Sequence, residues 1–423
     1  MIQPLRATRE TWRVDWFDLQ VPIQFGSMFI MPTCIYVIHR YTGLLVGHEF
    51  VRELDQRRAE ILIHHLFQER GIPDEIQIPD IDDWDEAVWQ GLSREYHCEV
   101  QLVEDNREDI ENSEYESIRR RLDAMVSGPA QTLLASIGPK NVAQGLVQGL
   151  KHVRSIEKKR ALLSKALELS EDLPEALVEL ADLDLQEGNL DAAAENFAKA
   201  ASGSAGFHIA GEPGCHIRAR HGQLLTAWQR GDLTQAIRVG QELLVANQID
   251  HSGVRFLVPL LELLAGQVDE AQEFFDRYQQ LYPNDLEDPG FHFGWALSLV
   301  DQDREKAASD KYRTGMIQNL YIAPLLLDVP EPAPDIWQHN DRGDLQYAVD
   351  FLNSFGLLWE RDAAAVRFLR EVYTEATPFL DKLIVLRQKM ADFQDHRYEP
   401  RHRELWHSLV EREQELIRNS SSS

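Results

Sequence analysis

Arg218, Arg220, Gln223 and Arg255 are the side chains of this 423-residue chain best suited to hold a ligand. A guanidinium offers planar, forked N–H donors that match a carboxylate through paired hydrogen bonds. The chemistry this set points to is capture of an acidic peptide or a chain terminus in a shared binding groove. The same arginines have a second reading. The chain carries 70 acidic and 43 basic residues, a formal charge of −27, so each arginine also has neighbouring acids to neutralise. Residue types alone leave both readings open.

Three other groupings invite chemistry and fall short of it. Asp80, Asp82, Asp83 and Asp85 suggest a calcium loop, which needs a third acid at its fifth position and a Glu at its twelfth. Counting from Asp80, those positions hold Trp84 and Gly91. An acidic N-capping turn before a helix near Trp84 is the expectation instead, because Asp accepts free N–H groups and faces the positive end of the helix dipole. His208, Cys215, His216 and His221 have no regular metal-ligand spacing. With Gly203, Gly206, Gly211 and Gly214 around them, they read as a long flexible loop between helices. Gly211 to Gly214 lacks the Lys-Ser/Thr of a phosphate loop. Lys158, Lys159 and Arg160 read as a solvated helix face. No metal and no cofactor is expected.

Composition narrows the class. Residues 70–117 hold 16 acidic and 3 basic side chains, close to half of the net charge. Such a surface opposes a general grip on nucleic acid, which needs cations facing phosphates. Cys34, Cys98 and Cys215 include no Cys-x-x-Cys pair, which fits a reducing, cytoplasmic setting. The first sixteen residues lack the apolar core of a signal peptide. No apolar run reaches the length of a membrane span. The charge therefore argues against nucleic acid as a partner, and a membrane is not expected to be one.

The elements that must position the arginines are written in a repeat. Gly188-Asn189-Leu190-x-x-Ala193, Gly231-Asp232-Leu233-x-x-Ala236 and Gly266-Gln267-Val268-x-x-Ala271 are 43 and 35 residues apart, each inside a helical pattern. A helix, a tight Gly turn and a second helix form a unit that buries its face only by stacking on a neighbour. Counting Pro174 as position 1, Leu177, Leu180 and Ala181 fall at 4, 7 and 8. Gly188 is then at 15, Leu190 at 17, Ala193 at 20, Phe197 at 24 and Ala200 at 27. These positions resemble the tetratricopeptide repeat. The second copy places Leu224, Ala227 and Leu243 likewise, and the third runs through Phe275 to Pro283. A weaker fourth runs through Trp295, Ala296, Leu299 and Ala308, with Asp303 where Gly is expected. The stretch from Gly253 through Asn319–Leu327 to Gly343-Asp-Leu-x-x-Ala348 and Gly356–Trp359 is similar to suppressor-of-tumorigenicity-type tetratricopeptide proteins. That resemblance implies a scaffold or adaptor without an active-site motif, and names no partner.

Residues 11–103 follow a different rhythm. Thr11–Asp15 alternates as a strand, and residues 29–38 form a β-branched apolar run. His39-Arg40-Tyr41-Thr42-Gly43 is a turn, and 44–51 returns as a strand. Helices are expected at 56–70 and 84–96, with strands at 75–78 and 99–103. The order strand-strand-strand-helix-strand-helix-strand, with Asp15 in the first strand and the HRYTG turn, resembles the ribonuclease H-like fold. The resemblance implies that active members hold two divalent metals, Mg²⁺ or Mn²⁺, between carboxylates. Asp15 matches the first position, Asp80 the second, and Glu111, Glu114 or Glu116 the third, with Glu114 the choice if the chain is a nuclease. His39 stands where integrase relatives often carry an acid. A degenerate head kept as an interaction module is the reading preferred to catalysis.

The resulting expectation is a multi-domain α/β + α protein: a ribonuclease H-like α/β domain followed by an α-solenoid of tetratricopeptide-like helix pairs. The divisions are 1–110, a helical linker at 111–155, repeats at 156–327, a C-terminal helical cap at 328–395, and a polar helix with its tail at 396–423. In the linker, 117–125 reads as a short helix punctuated by Gly128-Pro129. A proline-broken extended stretch occupies 328–338, and separate helices are expected at 344–355, 363–372, 379–393 and 404–418. The function expected is that of a non-catalytic scaffold binding a protein or an acidic peptide. The alternative is a metal-dependent nuclease.

Overall fold

The computed structural model describes residues 10–26, 28–81, 84–103, 113–203, 214–247, 250, 252–281, 288–332, 336–396 and 399–420. Pro283 of the third repeat, His208 and most of the Gly-rich loop, Asp82, Asp83 and Glu111 lie outside them. The chain divides into two compact units, 1–219 and 220–423.

The first unit opens with strands β1 (Thr11–Asp18), β2 (Ile23–Phe25), β3 (Met28–Ile30), β4 (Thr33–His39) and β5 (Leu45–Val51). Helix α1 (Gln56–Arg70), strand β6 (Glu75–Pro79), helix α2 (Glu86–Tyr96) and strand β7 (Glu99–Val103) follow. Five strands form a mixed sheet in the order β5-β4-β1-β6-β7. β1 runs antiparallel to β4 and parallel to β6. Alternation sorts the sheet faces. Trp12, Val14, Trp16, Ile35, Val37, Ile76 and Ile78 face one way and pack with Leu62, Ile63, Leu66 and Phe67 of α1 and Trp89 and Leu92 of α2. Cys34, Tyr36 and Ile38 face the other way.

The apolar run 29–38, expected as one strand, is two. Met28–Ile30 pairs with Ile23–Phe25 in a separate hairpin, and only Thr33–His39 joins the main sheet. Pro32 lies at the break, where it has no N–H to offer a ladder.

Helix α3 (Ser113–Ile137) is the second departure. It runs unbroken through Gly128 and Pro129, where the sequence suggested a stop. Both residues are exposed, so water can satisfy the carbonyl that Pro129 leaves unpaired. Ile118 and Leu122 of α3 cover the second sheet face at Cys34, Tyr36 and Ile38. Helix α4 (Pro139–Gly149) packs Val142, Ala143 and Leu146 against Phe29 and Met31 and against Leu162 and Leu163 of α5 (Ile156–Leu169). Helices α6 (Pro174–Gln186) and α7 (Leu190–Gly203) follow, and α8 (Cys215–Gln229) crosses the boundary between the units.

The second unit continues in pairs: α9 (Leu233–Ala246), α10 (Val254–Leu264), α11 (Val268–Leu281), α12 (Pro289–Val300) and α13 (Glu305–Gln318). The short α14 (Ile322–Leu327), α15 (Leu345–Phe355), α16 (Leu357–Glu360), α17 (Ala363–Ala391) and α18 (Pro400–Ser420) complete it. Helix α17 replaces the two separate helices expected at 363–372 and 379–393. It carries Pro378 inside one continuous 29-residue helix.

The turns within the pairs share one backbone state. Gly188, Gly231 and Gly266 have φ of 79°, 78° and 76°. At each, the glycine N–H and the next N–H donate back to the preceding helix: Gly188 to Leu185 and Asn189 to Asp184, Gly231 to Trp228 and Asp232 to Ala227, Gly266 to Leu263 and Gln267 to Glu262. This left-handed cap closes the helix and turns the chain. Asp303, which replaces the fourth glycine, takes φ of 58° and keeps both bonds, from Asp303 to Val300 and from Arg304 to Leu299. The Ala that follows each turn, at 193, 236, 271 and 308, has no exposed surface. A methyl there lets the second helix lie close to the first, while Phe197, Phe275 and Tyr312 fill the space beyond.

The end of the second unit is fastened by charge. Arg387 of α17 and Glu413 of α18 are both buried, with Nε donating to Oε1 at 2.7 Å. His339 Nε2 lies 2.9 Å from the other oxygen. Burial works to raise the Glu413 pKa, but His339 and Arg387 outweigh it and hold it below the ordinary value. Trp337, Leu386, Met390, Trp406 and Leu409 surround the pair.

Two predictions follow from these turns and this ion pair. Gly231→Ala places a Cβ in the left-handed region and costs about 1 kcal/mol, whereas Asp303→Gly stabilises by a smaller amount of the same origin; urea midpoints measure both. Arg387→Met strands a buried carboxylate and costs roughly 3 kcal/mol, most of it recovered when Glu413→Leu is added.

Candidate functional site

In the α/β head, Asp15 sits in the central strand directly opposite Tyr36 of β4. Its carboxylate is almost fully buried. Oδ1 accepts the Trp16 N–H at 2.7 Å and faces the Arg119 guanidinium of α3 at 3.8 Å. Arg119 Nε also donates to the Tyr36 hydroxyl at 3.2 Å. Burial pushes the Asp15 pKa up, and the Trp16 N–H, Arg119, Arg13 and Tyr36 only partly offset it. The position expected to hold a metal ligand is thus built as a carboxylate–arginine–tyrosine cluster under a helix.

Asp80 is elsewhere. It is exposed just past β6, and its backbone N–H donates to the Val103 carbonyl at 2.8 Å. Glu116 is exposed and pairs with Arg120 at 2.6 Å on its own helix. Glu114 lies in α3, and its side chain falls outside the described residues. Among the described residues no three His, Cys, Asp or Glu side chains gather in a way that could hold a metal ion. Asp85, the last acid of the calcium-like run, is the N-cap of α2 and accepts the Ala87 N–H at 2.8 Å.

The arginines singled out from sequence are all engaged. Arg218 on α8 bridges Glu179 and Asp182 of α6, at 2.9 Å to each. Arg220 pairs with Glu242 and donates to Gln223 at 3.0 Å. Gln223 is therefore an internal acceptor. The Arg255 side chain is 13% exposed. It donates to the Asp250 carbonyl at 2.7 Å and carboxylate at 3.0 Å, and its guanidinium lies 4.4 Å from the Phe256 ring centre. Asp250 in turn accepts the N–H groups of Val254 and Arg255. Arg255 so braces the start of α10. Of the two readings open from the sequence, neutralisation of neighbouring acids is what these contacts describe.

The sequence also misplaced a basic cluster. Lys158 is buried rather than part of a solvated face. Its Nζ donates to Thr33 Oγ1 at 2.5 Å and meets Asp18 Oδ1 at 3.1 Å, pinning α5 to β1 and β4. Arg160 holds Asp184 and Glu187 at 2.8 Å each. Arg119 and Tyr36 were missed as well. Strand register makes Tyr36 the neighbour of Asp15, and the packing of α3 against the second sheet face brings Arg119 over them. Near the Gly-rich loop, Cys215 is pushed up to about 11 by burial first and then by Glu175. The His221 pKa is lowered by burial against the opposing charge of Asp250.

No family model matches the chain, and no curated protein matches it. Solved structures similar to part of it are tetratricopeptide-repeat proteins. They include MamA, at 14% identity over 38% of this chain and 86% of that chain with a TM-score of 0.32. YrrB, described as a TPR protein with an unusual peptide-binding site, is 16% identical over 43% of this chain and 87% of its own, with a TM-score of 0.34. PilF of Pseudomonas aeruginosa is 19% identical over 56% and 96%, with a TM-score of 0.33. At these scores the similarities assign no property to this chain. No helix among the described residues is long and apolar enough to cross a membrane.

The buried Asp15 gives a pH test. A carboxyl whose folded pKa is raised contributes stability below its unfolded pKa of about 3.9 and loses it as pH rises through the folded value. Asp15→Asn therefore stabilises the protein more at pH 8 than at pH 4, read as a difference in thermal midpoint between the two. A gain that is equal at both would contradict the buried-acid description.

Proposed function

We propose that the chain is a non-catalytic protein-interaction scaffold, built from tetratricopeptide-like helix pairs and a head of ribonuclease H-like type that no longer cleaves nucleic acid. The observation that carries the reading is the repeated left-handed turn with its buried Ala, at 188–193, 231–236, 266–271 and 303–308. Such a unit earns stability only by stacking and leaves its outward helix faces free for partners. The head's strand order and its antiparallel-then-parallel pairing support the ribonuclease H-like assignment. Arg119 beside Asp15 supports its inactivity, because a guanidinium there competes with a divalent cation for the same oxygens.

The partner is a protein, and a reducing cytoplasm is the setting that the three free cysteines favour. An acidic peptide taken up at Arg218, Arg220, Gln223 and Arg255 would have to displace Glu179, Asp182, Glu242 and Asp250 from their arginines. Recognition of a partner on other faces of the array avoids that displacement.

Tagged full-length protein, purified from its own cells, is expected to bring down a stoichiometric protein partner that withstands a moderate salt wash. Single- and double-stranded DNA and RNA are expected to remain uncut with Mn²⁺. Metal-dependent cleavage that disappears in Asp15→Asn would overturn the proposal in favour of the nuclease.

A further inference from the structure

Most cations named so far are spoken for by internal acids. Lys382, Lys389 and Arg412 differ: all are exposed, and none has an ion pair or side-chain hydrogen bond to any described residue. They rim a trough of about 440 Å³ between α17 and α18. Lys382, Val385, Leu386 and Lys389 stand at the i, i+3, i+4, i+7 positions of α17 and form one stripe. Arg412 and Leu416, four apart on α18, form the facing wall. Val385 is 51% exposed although it lies in the apolar floor. Asp381 is the acid among the lining residues, and Glu411 and Glu415 are exposed beside Arg412 on α18.

The pattern is an apolar strip bounded by cations along about two helical turns, roughly 10 Å of axis. It occurs on a chain whose formal charge is −27. Three cations and one acid line the trough, and in its apolar floor Val385 is exposed, Leu416 is half-buried and Leu386 is buried. We infer that the α17–α18 trough docks an acidic amphipathic helical segment of a partner protein, with an apolar residue on Val385, Leu386 and Leu416 and carboxylates reaching Lys382, Lys389 and Arg412. The length of the stripe matches the spacing of anchors on one face of such a helix. Charge complementarity sets its orientation, and the apolar floor supplies the contact area. The inference rests on the scaffold reading and gives its partner a chemistry. It also places the contact away from the first helices of the repeats, whose arginines are occupied.

The test is selection of random 16-residue peptides displayed on phage against the full-length protein, with Lys382→Glu/Lys389→Glu/Arg412→Glu as counter-target. All three substitutions are at exposed positions, and an unchanged thermal midpoint and circular dichroism confirm folding. Enriched peptides are expected to alternate acidic and large apolar residues at helical spacing. As synthetic peptides they should bind the triple variant at least about 10-fold more weakly, as expected when several charge pairs turn repulsive. Val385→Glu, which keeps the rim, should weaken them similarly. Peptides without acidic pattern, no enrichment over the counter-target, or affinities within about twofold on both variants would overturn the inference. If the triple variant still brings down the natural partner while the peptides fail, the scaffold stands and the trough is not its docking site. If the unmutated protein brings down no partner and no peptide is enriched, the scaffold reading falls with it.

Discussion

The left-handed turn between paired helices is the constraint on which the helical architecture depends. It ends the first helix with two back-directed hydrogen bonds and sends the chain antiparallel within two residues. The second helix then begins at a set height, which puts the same small residue against the first helix every time. Ala193, Ala236, Ala271 and Ala308 are the product of that register. Asp303 shows that the turn, rather than glycine itself, is what the architecture requires, since a residue with a Cβ adopts the same conformation where the sequence supplies no Gly.

Electrostatics gives the molecule a second organising rule. In so acidic a chain several cations tie elements of the fold together. Lys158 ties a helix to the sheet, Arg160 and Arg218 tie neighbouring helices, Arg255 supports a helix start, and Arg387 locks the last two long helices. Arg119 follows the same rule in the head, where it stands beside the buried Asp15. That single placement turns the position most suggestive of metal chemistry into part of the packing. Lys382, Lys389 and Arg412 differ from these in lining one shared trough between α17 and α18.

Much of the architecture was readable from residues alone, and the limits have physical causes. Helix α1 spans 56–70 as its spacing predicts, with Asp55 capping its start and Gly71 closing its end. The three Gly turns and the Asp303 variant fall where the spacing placed them. The errors cluster at proline. Gly128-Pro129 reads as punctuation and α17 as two helices divided between 372 and 379, yet a helix tolerates Pro129 and Pro378 when the freed carbonyl finds water or packing compensates. Pro32 did break the chain, inside a run that looked continuous. Side-chain partners were the least legible. That Arg218 would meet Glu179 and Asp182, or that Lys158 would be buried under Thr33, depends on helix stacking that no local pattern encodes.

If the helix pairs are the working surface and the head is structural, hydrogen–deuterium exchange on the full-length protein with and without its co-purified partner is the most direct measurement. The account predicts slowed exchange concentrated in the helices from α6 onward, with β1, β4 and β6 unchanged. Protection confined to the head around Asp15 and Asp80, with the helix pairs unaffected, would contradict it.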